Sequence, residues 1–164
     1  MEDYSPTFEK AHATAQRLMN DEFFFDVLSE TAPFGSDDGA DAYAAFAAWR
    51  ATNTTKSPVL FIHKQIETWD YPEFDIQEIA YEKLAPYLAQ SDMAYRYMSG
   101  INAAIVAVAF GQLYLEGKVD GDVKQLAKVA VERELLPEIL ALWDEYIAER
   151  ERGLNKLLAV LQRV

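Results

Sequence analysis

INAAIVAVAFGQLYL, residues 101 to 115, is apolar around almost the whole circumference of a helix, interrupted only by Asn102 and Gln112. A helix with no polar face cannot lie on a surface and must be wrapped by other elements. Its most apolar run, Ala103 to Phe110, is far shorter than the roughly 20 residues that span a bilayer. The segment therefore reads as the buried axis of a globular fold, a central helix from Asp92 to Glu116 capped by Ser91.

Outward from that axis the apolar spacing is helical nearly throughout, and sustained strict alternation is missing. After a turn at Gly117 to Gly121, a helix starts at Asp122 and runs to about Leu136, where Pro137 kinks or ends it. From Leu136 a regular seam follows: Leu136, Leu140, Trp143, Ile147, Arg150, Leu154, Leu157, Leu161 and Val164, spaced by fours and threes. Such a stretch would extend roughly 42 Å as one helix. Arg150 interrupts the seam and, if buried, needs a carboxylate partner. The seam serves either packing inside the bundle or a homodimer formed through Leu136 to Val164.

Upstream, the spacing predicts a helix over Pro6 to Met19 with Ser5 as N-cap, a shorter aromatic turn or helix over Asp21 to Leu28, and a loop from Ser29 to Asp38. An Ala-rich helix then spans about Gly39 to Thr52, entered through Ser36 or Asp38. Val59 to Trp69 could be strand or helix by composition; Ile62, Ile66 and Trp69 favour helix. Asp70 to Asp75 is a linker, with Asp75 and Glu78 as a capping pair for a helix over Ile76 to Gln90. The expectation is a single all-α domain over 1–164, a helical bundle of about six or seven helices around a buried central helix.

The chain has 164 residues, 51% of them hydrophobic and 13% aromatic, which suffices for one good core and excludes disorder. It has no cysteine, so disulfides, thiolate zinc sites and cysteine nucleophiles are excluded. The formal charge of -12 is uneven. Residues 1–92 carry 17 acids and 6 bases, residues 93–164 carry 10 acids and 9 bases. With no run of Lys or Arg to meet a phosphate backbone, nucleic acid is not an expected partner. The acidic, polar start MEDYSPTFEK lacks the pattern of a signal peptide, so no membrane association and a cytoplasmic location are expected.

Chemical motifs are few. GxSxG, GxGxxG, HExxH and phosphate-loop patterns are absent, and no residue is assigned a catalytic role. Glu9 and His12 form an ExxH, which on one helix face is half of a di-iron carboxylate site. The second half is missing, because the only other histidine, His63, has Leu60 three residues before it. His63 and Glu67 stand one helical turn apart, so Glu9, His12, His63 and Glu67 are the metal candidates, set against the plainer reading of ordinary solvated histidines. No cofactor is expected.

The most distinctive string is PFGSDDGAD, Pro33 to Asp41, followed by AYAAFAAWR. Its acids lack the alternation of a calcium loop. One reading has them capping a helix and complementing its dipole; the other makes them part of a partner-binding surface. Phe23, Phe24, Phe25, Phe34, Tyr43, Phe46 and Trp49 are either a core wedge or an aromatic patch rimmed by acids. DYPEFD, Asp70 to Asp75, repeats that combination. The partner-binding candidates are Phe34, Asp37, Asp38, Asp41, Trp49, Asp70, Glu73 and Asp75.

Between about Ala11 and Arg50 the chain resembles bacterial YfeS-like proteins of unassigned activity, through the turn residues Pro33, Phe34, Gly35, Asp37, Asp38 and Asp41 and the Ala/Trp helix after them. The turn is also similar to a GPF-Asn-Asp signature of other small bacterial domains, with Ala32 standing in place of its first glycine. These resemblances imply a fold neighbourhood and no particular chemistry. The functional expectation is a protein-interaction module whose acidic half meets a basic partner, as an immunity-type inhibitor would. The alternatives are a metal-dependent or small-molecule enzyme using His12, His63 and nearby carboxylates, and a homo-oligomeric structural protein.

Overall fold

The computed structural model describes residues 5–164. Ser5 as an N-cap therefore falls at its edge, and the helix expected from Pro6 is in fact two short pieces. A 3-10 turn, Phe8–Lys10, precedes helix α1, Ala13–Leu18. His12 separates them, since its ring nitrogen Nδ1 accepts the amide hydrogen of Thr14 and so caps α1. A second 3-10 turn, Glu22–Phe25, is capped by Asp21.

The remaining helices are α2, Asp37–Arg50; α3, Pro58–Trp69; α4, Tyr81–Leu88; α5, Ala94–Glu116; α6, Gly121–Glu134; and α7, Ile147–Arg163. The molecule is all-helical, with 69% of residues in helix and no strand among the described residues. Val59 to Trp69 is helical as its spacing suggested, with Ser57 as N-cap and Pro58 in the first turn. Ser36, rather than Asp38, caps α2, its hydroxyl accepting from Gly39 N at 3.0 Å.

Helix α5 is the axis. Ile101, Ala104, Ile105, Ala107, Val108, Ala109 and Phe110 are wholly buried, and α1, α2, α3, α4 and α6 all pack on it. It exceeds the expectation in one respect. By length and composition it is apolar enough to cross a membrane, although 83% of its most apolar window is buried inside the bundle. Two glycines bring α2 close to it. A Cβ at Gly111 would come within 3.0 Å of the Tyr43 ring, and one at Gly100 would overlap the Asp38 carboxylate. They lie 11 residues apart, about three helical turns, and so share one face.

Two expected helices are shorter. Ile76 to Ala80 is not helical, because the carbonyls of Ile76 and Glu78 accept from Arg133 Nη1 at 3.1 and 2.9 Å. Those acceptors are thereby taken from a local helical ladder, and Glu78 instead caps the chain ahead of α4 through the amides of Ile79 and Ala80. The long C-terminal helix is also interrupted. Pro137–Leu140 forms one turn, Ala141–Tyr146 a 3-10 segment, and Asp144 adopts φ 48 and ψ -117 before α7 begins. At 17 residues, α7 extends about 25 Å rather than 42 Å. All nine seam side chains are buried or half-buried within one chain, so this stripe is already occupied without a second copy.

Candidate functional site

Two arrangements concentrate polar chemistry, and they share the turn that opens α2. The first joins the two acidic segments. Asp38, in the first turn of α2, is 8% exposed and receives Arg96 Nη1 from α5 at 2.5 Å. The hydroxyl of Tyr71, inside the DYPEFD linker, reaches the same carboxylate at 3.3 and 3.4 Å. Arg96 also lies 6.0 Å from the Tyr71 ring centroid. Burial, reinforced by the Asp38 charge, raises the Tyr71 pKa, so the phenol stays protonated and able to donate.

Asp38 thus brings PFGSDDGAD and DYPEFD together, and both segments leave carboxylates in solvent. Asp37, Asp41, Asp70, Glu73 and Asp75 are exposed, and none has an ion-pair partner among the described residues. The aromatic candidates behave differently. Phe34 is 4% exposed and sits 4.8 Å from Tyr43 in a cluster that includes Tyr114. Trp49 is half-buried against Phe46 and Phe61, and Phe24 stacks on Phe110. The wedge reading of these rings is what the fold contains, and burial places Phe34 away from any surface.

The second arrangement is a polar network beside a cavity of about 150 Å³ between the α2 turn, α5, α6 and α7. Glu134, 2% exposed, is its centre. It accepts from Asn102 Nδ2 at 2.6 Å, from the Tyr95 hydroxyl at 2.7 Å and from Arg150 Nη2 at 3.2 Å. Asn102 in turn accepts from Arg133 Nε and Nη2 at 3.0 and 2.7 Å. Trp143 Nε1 donates to the Tyr95 hydroxyl at 2.7 Å. Burial first, and the Glu134 charge second, raise the Tyr95 pKa. Burial lowers that of Arg133 to about 10, which leaves it cationic at neutral pH.

Arg150 closes this network. Its Nη1 donates to Thr31 Oγ1 at 3.0 Å and more weakly to the Glu30 carbonyl, while the guanidinium lies 4.2 Å above the Trp143 ring. The carboxylate partner demanded by its place in the seam is Glu134. Among the described residues one donor remains unmet, since Arg150 Nε is buried with no hydrogen-bond acceptor. Sequence spacing could not single out Glu134, Asn102 or Tyr95; only the polar interruptions at Asn102 and Arg150 in otherwise apolar stretches hinted that something buried and polar meets there.

The metal candidates are dispersed. Because the helix breaks at His12, Glu9 lies in the preceding 3-10 turn and the two do not share a helix face. The His12 ring packs against Gly117. His63 and Glu67 are exposed on α3, with His63 beside Glu73 and Phe74 at a cavity of about 80 Å³. No group of three or more His, Asp or Glu placed to hold an ion occurs among the described residues.

Compared with family models, curated proteins and solved structures, the chain finds no match among them.

Proposed function

We propose that the chain is a protein-interaction module whose acidic N-terminal half binds a basic partner, in the manner of an immunity-type inhibitor. The observation that carries this reading is the Asp38 junction. By tying Tyr71 to the entry of α2, it sets the exposed Asp37 and Asp41 beside the segment bearing Asp70, Glu73 and Asp75. Five unpaired carboxylates on two adjoining segments make a surface whose field attracts and orients a cationic protein.

The aromatic residues contribute by support rather than contact. Phe34, Tyr43 and Phe46 anchor the turn and α2 to α5, so the carboxylates project from a rigid base. The reading is tested by mixing the protein with a panel of basic globular proteins at low and moderate salt and following association by biolayer interferometry. Binding to at least one member that weakens steeply with salt is expected. Absence of binding across the panel, or binding indifferent to salt, would remove its basis.

A further inference from the structure

The segment that carries Asp70, Glu73 and Asp75 also lines the cavity of about 80 Å³ against α3. His63 and Glu73 are exposed, so the cavity meets solvent on their side. Phe74 and Ile76 are half-buried walls, and Ile66 and Ile101, 4% and 0% exposed, complete an otherwise apolar lining.

These walls are held in place by contacts of their own. The Arg133 guanidinium lies 4.8 Å from the Phe74 ring centroid, and the Tyr87 ring packs on Phe74 at 5.1 Å. Arg133 also donates to the Ile76 carbonyl at 3.1 Å, and the Tyr87 hydroxyl donates to the Pro72 carbonyl at 2.7 Å. A ligand entering here therefore meets a surface already ordered, which lowers the cost of binding.

Size and polarity restrict what enters. An engineered cavity of about 150 Å³ holds benzene, so a space about half as large suits about three or four carbon atoms. That is a branched aliphatic side chain and too little for an aromatic ring. A charged tip would lose its water against Ile66 and Phe74 with nothing to replace it. A cationic group is instead met outside, where Glu73 has no ion-pair partner among the described residues.

We propose that the basic partner seats one branched aliphatic side chain in this cavity and pairs an adjoining lysine or arginine with Glu73. The inference rests on the acidic-face reading and adds what charge alone lacks. Exposed carboxylates speed association, whereas an apolar anchor inside a charged rim slows dissociation. Asp70 and Asp75 lie within three residues of Glu73, so the anchor is set in the strongest part of the attracting field.

The test uses the full chain with carbon-13-labelled isoleucine methyl groups and two end-capped peptides, Lys-Lys-Leu-Lys-Lys and Lys-Lys-Ser-Lys-Lys, at low salt. The leucine peptide should bind about tenfold more tightly and move the methyl resonances of Ile66 and Ile76. The serine peptide should move the backbone amides of Asp70, Glu73 and Asp75 without those methyl groups. Ile76→Phe narrows the cavity and should bring the two affinities together. Equal affinities for the wild type, with the methyl resonances unmoved, would overturn the anchor and leave the acidic face standing. A leucine advantage that survives Ile76→Phe would also overturn it. Failure of both peptides to bind would sink the anchor through the acidic face on which it rests.

Discussion

Arg150 and Glu134 meet at 3.2 Å with side chains only 7% and 2% exposed, so the charge of each depends on the other for compensation. Removing one partner of such a pair strands the other in a poorly solvated place. Arg150→Met should therefore cost about 3 kcal/mol of unfolding free energy in urea. Adding Glu134→Gln should cost less than the sum of the two single changes, with a coupling of about 1–3 kcal/mol. Strict additivity would show that the pair contributes nothing to the folded state.

Gly100 is the position where the acidic turn touches the axis. A Cβ there would overlap Asp38 and come within 2.8 Å of the Tyr71 ring and 2.9 Å of Arg96 Nη1. Alanine gains about 1 kcal/mol in helix propensity but overpacks the junction at about 1–3 kcal/mol. Gly100→Ala should thus be neutral to destabilising in thermal melts and should separate Tyr71 from Asp38. Gly121→Ala is the counterpart, since nothing lies within 4 Å of its Cβ and a gain of about 0.4–1 kcal/mol is expected.

What the residues revealed in advance follows from the range of the forces involved. The all-round apolarity of Ile101 to Leu115 required a buried axis, and local capping chemistry at Ser36 marked a helix start, because both signals lie within a few residues. The break at Ile76 to Ala80 depends on Arg133, more than 50 residues away, and no local pattern contains that hydrogen bond. The same holds for the C-terminal seam. Its spacing is that of a straight helix, yet the 3-10 segment and Asp144 turn the chain so that Trp143 meets Tyr95 while Arg150 meets Glu134. The acids of PFGSDDGAD were legible as a group, but the division of labour between buried Asp38 and exposed Asp37 and Asp41 is a property of the packing against α5.

Glu116 should shape the acid limb of stability. Arg50 donates to it from Nε and Nη2 at 2.7 and 3.0 Å, and these bonds hold its carboxyl below the usual value of 4.5. A carboxyl lowered in the folded state stabilises fully above its unfolded value and loses that contribution as the pH falls through the lower folded value. Glu116→Gln should reduce stability at pH 7 and flatten the decline below about pH 4.5, as read by urea midpoints across pH. An unchanged acid limb would mean that the pair is not formed in solution.

Asp144 is one of two non-glycine residues with positive φ among those described, and its ψ of -117 sets it apart from an ordinary left-handed turn. Such a conformation costs about 1–3 kcal/mol for a residue with a Cβ. Asp144→Gly should raise the melting temperature despite glycine's greater freedom in the unfolded chain, and Asp144→Val should lower it. A fall with glycine would contradict the strain.

The central claim is that location, and not the total charge of -12, makes the N-terminal half a binding surface. It is tested most directly by comparing two variants of equal charge against a basic protein bound by the wild type. One neutralises Asp37, Asp41, Asp70, Glu73 and Asp75; the other neutralises Glu138, Asp144, Glu145, Glu149 and Glu151 in residues 93–164, which are also exposed. The account predicts that the first slows association at least tenfold at low salt while the second stays within about twofold of wild type. Equal losses in both would contradict it, because they would trace the attraction to net charge alone.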